Sequence, residues 1–296
     1  MANASEKISL LEKIMEAAVR SNKHSSDVLK AFRPVLVKKV DLVESLELSD
    51  DETLNLDESR FKEGIPLSRQ NDLVPGSDAC RTIALSLIPA ISKGFPDMKP
   101  EMEKLESLIG KKTIDLSEYL AATPEKGEEL IEQWSSDHNV APYASAFLTR
   151  TVLRVYFAKK ALNWAELIKG FAWEKGYCPI CGSPPMIAKV REGITSRWLH
   201  CSCCGHEWVF SRVVCPACEN TEQKEMTYFF VEDKDKDKET TFVCEKCKQY
   251  LITVTKVNDL AGIDADVSAI SLVHLDVLMQ GKGYKPMAEC DWNMFP

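Results

Sequence analysis

Eight of the eleven cysteines stand in four Cys-x-x-Cys pairs within 70 residues: Cys178/Cys181, Cys201/Cys204, Cys215/Cys218 and Cys244/Cys247. A Cys-x-x-Cys turn places two thiols on one side of a tight loop, and a second such turn brings two more. Four thiolates suit one tetrahedral, soft-ligand metal ion, so eight provide for two ions, iron or zinc. A closed four-thiolate site leaves no open position for water or substrate. Its chemistry is structural or, with iron, electron transfer, and not metal-assisted hydrolysis. The spacing inside successive couples is similar, with 19 residues between Cys181 and Cys201 and 25 between Cys218 and Cys244. We take the pairs in sequence: Cys178, Cys181, Cys201 and Cys204 at one site, Cys215, Cys218, Cys244 and Cys247 at the other. An interleaved cross-brace is the alternative. Cys203 lies next to the first set, but the two-residue spacer favours Cys201 and Cys204. His200 and His206 flank that set as neighbouring imidazoles. Cys80 and Cys290 are isolated thiols.

Each pair must sit where a strand ends in a turn. From Gly176 onward the chain carries short β-type runs: Met186–Val190, Arg197–His200, Trp208–Val214, Met226–Val231, Thr240–Val243 and Tyr250–Val254. Knuckle, hairpin and second knuckle is the layout of zinc-ribbon or rubredoxin-like modules. Modules this small bury too little apolar surface to fold unaided, and metal binding supplies the deficit. Gly182 follows the first pair and can take positive φ there; Glu219 and Lys248 occupy the equivalent place after the third and fourth pairs. The alternating charges of Glu232–Glu239 read as a solvated hairpin tip.

Residues 1–172 read as helical. Ile8, Leu11, Met15 and Ala18 recur at helical spacing behind Ser5 as N-cap. A second apolar pattern covers Val28–Leu48, with Pro34 expected to break it. Asp50–Gly76 reads as an extended connection. Further helices are expected at 78–92, 98–109, 125–138 and 142–170, the last led by Pro142. A final helix is expected at about 265–280, with Val267, Ile270, His274 and Leu278 on one face. The fold class is therefore α+β: an N-terminal α-helical bundle (1–172), a first metal module (173–210), a second (211–258), and a C-terminal helix and tail (259–296).

Formal net charge is −8 with thiols counted neutral, and two divalent ions held by eight thiolates would take it to about −12. Residues 178–256 hold 11 Lys/Arg against 11 Asp/Glu, and basic residues do not cluster with aromatics. This balance opposes a nucleic-acid-binding zinc ribbon. An electron-transfer protein acting alone is the other alternative, although four pairs in a β context do not match a thioredoxin-type dithiol. No 18-residue apolar run suggests a membrane span, and Met1–Lys7 lacks the basic start of a signal peptide, so we expect a cytoplasmic chain. In that reducing setting such cysteines favour metal ligation over disulfides. Phosphate-binding loops, Gly-x-Ser-x-Gly and His-Glu-x-x-His are absent, and no catalytic residue is assigned.

The run Arg197-Trp198-Leu199-His200-Cys201-Ser202-Cys203-Cys204-Gly205-His206-Glu207-Trp208, followed by Arg212-Val213-Val214-Cys215, resembles the formate dehydrogenase accessory protein family (FdhE-type). Cys178-Pro179-Ile180-Cys181-Gly182-Ser183 before it and Cys244-Glu245-Lys246-Cys247-Lys248-Gln249-Tyr250-Leu251 after it keep the family's register. Cys203 stands where the family has Leu, and Trp198 where it has Tyr. The resemblance implies a non-enzymatic, chaperone-like protein of the cytoplasm with two rubredoxin-like modules and iron or zinc as cofactor. It would assist maturation of a molybdenum- or tungsten-dependent formate dehydrogenase by contacting the catalytic subunit. Trp198, His200, Glu207 and Trp208 are the candidate contact residues for that partner.

Overall fold

The computed structural model describes residues 3–48, 54–71, 75–121, 124–191, 196–230, 239–257 and 264–294. The proposed tip around Glu232 therefore lies outside the described residues. The chain forms two compact units. The first comprises Met1–Glu12, Lys30–Thr53 and Asp72–Lys160; the second comprises Lys13–Leu29, Leu54–Asn71 and Ala161–Pro296.

Helices dominate the first unit. α1 (Ala4–Ser21) begins in a capping box: Glu6 N–H donates to Asn3 Oδ1 at 2.9 Å, and Asn3 N–H donates to Glu6 Oε2 at 3.0 Å. The N-cap is thus Asn3, and Ser5 lies inside the helix, because only Asn3 has a carboxylate three residues on. α2 (Ser26–Ser45) runs through Pro34 without the expected break. One turn before that proline, the Ala31 carbonyl meets Gly94, where a Cβ would lie 2.1 Å from the oxygen. Tertiary packing has overridden the local helix-breaking signal.

Two short helices, α3 (Glu58–Lys62) and α4 (Leu67–Gln70), occupy the stretch expected to be extended. Asp57 caps α3 by accepting from Ser59 and Arg60 N–H, and Phe61 and Leu67 are buried. α5 (Ser77–Gly94), α6 (Lys99–Gly110), α7 (Leu116–Ala121), α8 (Pro124–His138) and α9 (Pro142–Leu167) follow. Of these, α7 was not legible in the sequence. Phe32, Phe95 and Phe147 form an aromatic triangle in this core, with centroids 4.9–6.0 Å apart.

The second unit is built on one seven-stranded sheet of β1 (Pro185–Arg191), β2 (Ser196–Cys201), β3 (Glu207–Ser211), β4 (Met226–Phe230), β5 (Glu239–Cys244), β6 (Gln249–Val257) and β7 (Lys285–Pro286). The strand order is β3-β2-β1-β6-β5-β4, with β7 alongside β6. β1–β2–β3 and β4–β5–β6 are antiparallel, and β1 pairs with β6 in parallel. That parallel seam makes one sheet of the two modules. Residues 173–210, 211–258 and 259–296 consequently share a single compact unit.

α10 (Ala265–Ser271) packs on β1, and α11 (Val273–Gly281) packs on β6. The expected single helix is interrupted at Leu272, with φ −100° and ψ 14°. The interruption resets the buried face to Val273, Leu275, Asp276 and Met279, and it leaves Leu278 exposed.

Candidate metal centres

The four knuckles share one backbone solution. The residue after the second cysteine takes left-handed φ in every case: Gly182 (79°), Gly205 (74°), Glu219 (57°) and Lys248 (58°). In three of them its N–H donates to the carbonyl of the first cysteine: Gly182 to Cys178 at 2.9 Å, Glu219 to Cys215 at 3.0 Å, and Lys248 to Cys244 at 2.9 Å. The two non-glycine residues adopt the same turn and are fixed by side-chain pairs. Glu219 accepts from Lys175 at 2.9 Å, while Lys248 pairs with Glu245 and lies over Tyr284.

These turns gather the sulfurs into two groups: Cys178, Cys181, Cys201 and Cys204, and Cys215, Cys218, Cys244 and Cys247. Within each, all sulfurs lie within 4.8 Å of one another. Along two opposite edges of each group the separations are 3.5 Å (Cys178–Cys204) and 3.3 Å (Cys181–Cys201), and 3.8 Å (Cys215–Cys247) and 3.7 Å (Cys218–Cys244). A tetrahedron with metal–sulfur bonds of about 2.3 Å has edges of about 3.8 Å, so the donor set fits a four-thiolate ion. A disulfide would require about 2.05 Å. The grouping is sequential, not cross-braced.

At the first site Cys203 and Cys204 N–H donate to Cys201 Sγ at 3.3 and 3.4 Å. Such bonds stabilise the thiolate form. At the second, Asn220 Nδ2 approaches Cys244 Sγ at 3.9 Å. Cys203 stands outside the four-sulfur group, as do His200, His206, Cys80 and Cys290. Burial pushes the Cys80 thiol up to about 12, which marks it as inert.

Segments read as connections brace the first site. Leu67 and Ser68 N–H, at the start of α4, donate to the knuckle carbonyls of Pro179 and Ile180, both at 2.9 Å. Tyr177 Oη donates to the Gly64 carbonyl at 2.8 Å, and Trp173 Nε1 to the Tyr177 carbonyl at 2.7 Å. The Phe61 and Trp173 rings meet at a 43° tilt with centroids 4.6 Å apart. Sequence reasoning missed this brace; Asp57 as a cap ahead of Phe61 and Leu67 was the available signal. Gly176 approaches the second knuckle so closely that a Cβ would lie 2.0 Å from the Pro216 carbonyl oxygen. Backbone against backbone cannot relax cheaply, so Gly176→Ala is expected to destabilise the second unit by about 2–3 kcal/mol. Urea unfolding of the metal-loaded chain measures this.

The pleat separates the four candidate contact residues. Trp198 and His200 of β2 pair with Val209 and Glu207 of β3 and share one face. There Glu207 accepts from Lys189 at 2.6 Å and lies 3.1 Å from His200 Nδ1. Burial acts to raise the Glu207 carboxyl, but hydrogen bonds from His200 and Lys189 hold it down to about 2. Trp208 points to the opposite face. It is buried, and its Nε1 donates to the Lys175 carbonyl at 3.1 Å. Its indole therefore packs the module and is not an open contact surface.

Residues 177–212 match the family model described as FdhE, central domain. The chain is 28% identical to an FdhE homolog of Aquifex aeolicus over 196 residues, covering 64% of this chain and 62% of that protein. It is 29% identical to FdhE of Escherichia coli K12 over 202 residues, 64% of each chain. The similarity thus spans less than two thirds of these curated relatives. The crystal structure of FdhE from Pseudomonas aeruginosa superposes with a TM-score of 0.66 at 19% identity, covering 98% of this chain and 96% of that one.

Proposed function

We propose that this chain, which resembles FdhE proteins and shares their fold, is an accessory protein in the maturation of a molybdenum- or tungsten-dependent formate dehydrogenase. The observation that carries the reading is the FdhE central-domain match over residues 177–212, which holds the first four-cysteine site and the Trp198–Trp208 run. The eight cysteines bind two ions, iron or zinc. The ions make the knuckles rigid, and iron at these sites would add an electron-transfer capacity. No helix among the described residues is long and apolar enough to cross a membrane, and we place the chain in the cytoplasm as a non-catalytic partner of the dehydrogenase's catalytic subunit. Trp198, half-buried beside exposed Val209, is the contact we favour on the β2–β3 face. Trp208 is left out because it is buried.

The test is affinity capture of the tagged chain from anaerobic native extract, with and without nuclease, read by mass spectrometry. A formate dehydrogenase catalytic subunit that survives nuclease is expected, and Trp198→Ala with unchanged metal content should weaken its recovery. Recovery of ribosomal proteins or nucleic acid alone, lost on nuclease treatment, would reinstate the nucleic-acid reading.

A further inference from the structure

Among the described residues Arg197 is the largest side chain that is buried completely, with 0% exposure. It leaves β2 on the face opposite Trp198 and lies over two aromatic rings, 4.6 Å from the Phe242 centroid and 5.5 Å from that of Phe210. Phe242 belongs to β5, although β1 and β6 separate that strand from β2. One nitrogen, Nη2, donates to the Val214 carbonyl at 2.6 Å, while Nε and Nη1 are buried without a hydrogen-bond partner. Among the described residues, the groups that act on it most strongly are the Tyr228 hydroxyl and the Cys215 thiol. A guanidinium in this position is expensive unless an opposite charge lies close. Its hydrogen bond to the backbone goes to the residue immediately before Cys215.

We propose that Arg197 is the buried countercharge of the second four-cysteine site. Four thiolates around a divalent ion leave two negative charges, and Cys215 and Cys244 are buried. The guanidinium offsets part of that charge through a low-dielectric interior and so tightens the site's hold on metal. Arg197 is carried by the hairpin that also carries Cys201, so the first module supplies a charge to the second site. This inference rests on the reading of Cys215, Cys218, Cys244 and Cys247 as metal ligands.

Release of Zn2+ to a chromogenic chelator from the zinc-loaded full-length chain tests it, with Cys178→Ser and Cys244→Ser assigning each release phase to a site. Arg197→Met removes the charge and keeps an unbranched chain of similar length; Arg197→Lys keeps the charge; Arg197→Gln is neutral but can still donate to the Val214 carbonyl. Met and Gln are expected to speed release from the second site about tenfold or more and to affect the first site less, with Lys close to the unaltered chain. Metal-free Arg197→Met should melt no lower than the metal-free unaltered chain, since an uncompensated buried charge has been removed. Three results would overturn the proposal: unchanged second-site release in the Met and Gln variants, a Lys variant as leaky as Met, or a metal-free Met variant less stable than its parent. Failure of the unaltered chain to bind zinc at the second site at all would instead overturn the metal-site reading.

Discussion

Cys178→Ser is expected to leave one metal ion per chain where the unaltered chain holds two, and to lower the thermal midpoint of the entire second unit by about 20 °C or more. The magnitude follows from comparing two energies. A structural zinc ion stabilises finger-type folds by about 10–16 kcal/mol, whereas a whole domain is stable by about 5–15 kcal/mol. Loss of one ion therefore outweighs what the remaining contacts can offset locally. Cooperativity follows from topology. The strand leaving the first knuckle, β1, pairs in parallel with β6, which leaves the fourth knuckle. Opening the first site frays β1 and removes a neighbour from β6. Calorimetry should show a single shifted transition for the sheet, and the ion left at the second site should leave faster in chelator. Two resolved transitions, with the second site unaffected, would mean that the modules behave as separate beads despite the shared sheet.

This coupling was the part of the fold least legible in the sequence. Ligand identity was plain, because Cys-x-x-Cys fixes local geometry and local geometry is what a sequence pattern encodes. The hairpins were plain for the same reason: β-branched and aromatic runs bounded by knuckles leave few alternatives. Parallel pairing of β1 with β6 joins residues more than sixty positions apart and leaves no periodic trace. The helices show the same division. α5, α6 and α9 carry their own apolar stripes, whereas α3 and α4 are held in place by what they touch, the Pro179 and Ile180 carbonyls and the Trp173 ring. Pro34 and Leu272 make the converse point. The sequence signals a break at Pro34 that packing around Gly94 suppresses, and it gives no warning at Leu272, where the chain turns to bury Asp276. Arg197 could have been suspected only as a charged residue alternating into the apolar face between Trp198 and Ser196.

The buried Asp276 should make the stability of the second unit fall as pH rises from about 4 to about 7. Its side chain on α11 is 1% exposed. Oδ1 accepts from the Tyr250 hydroxyl at 2.7 Å and from Asn293 Nδ2 at 3.5 Å, while Oδ2 is buried without a partner. Burial raises the carboxyl from 3.8 to about 7, more than the Tyr250 and Asn293 hydrogen bonds lower it. Around it, the phenol of Tyr250 is itself pushed up by burial and by Asp276, and among the described residues no cation acts on the carboxyl. Between these two values the folded chain keeps a proton that the unfolded chain has released. The contribution is fully present below about 4 and lost as pH climbs through about 7. The whole span is worth about 4 kcal/mol. Asp276→Asn retains an oxygen for the Tyr250 hydroxyl and cannot ionise. It should match the unaltered chain near pH 4 and exceed it by up to about 4 kcal/mol at pH 8. Metal affinity also changes with pH, because ligand thiols must deprotonate, but that term is common to both chains. The readout is therefore the difference between their urea midpoints at each pH. A difference that stays constant from pH 5 to 8 would show that Asp276 is ionised in the fold throughout, with its charge met by a group other than Tyr250 and Asn293.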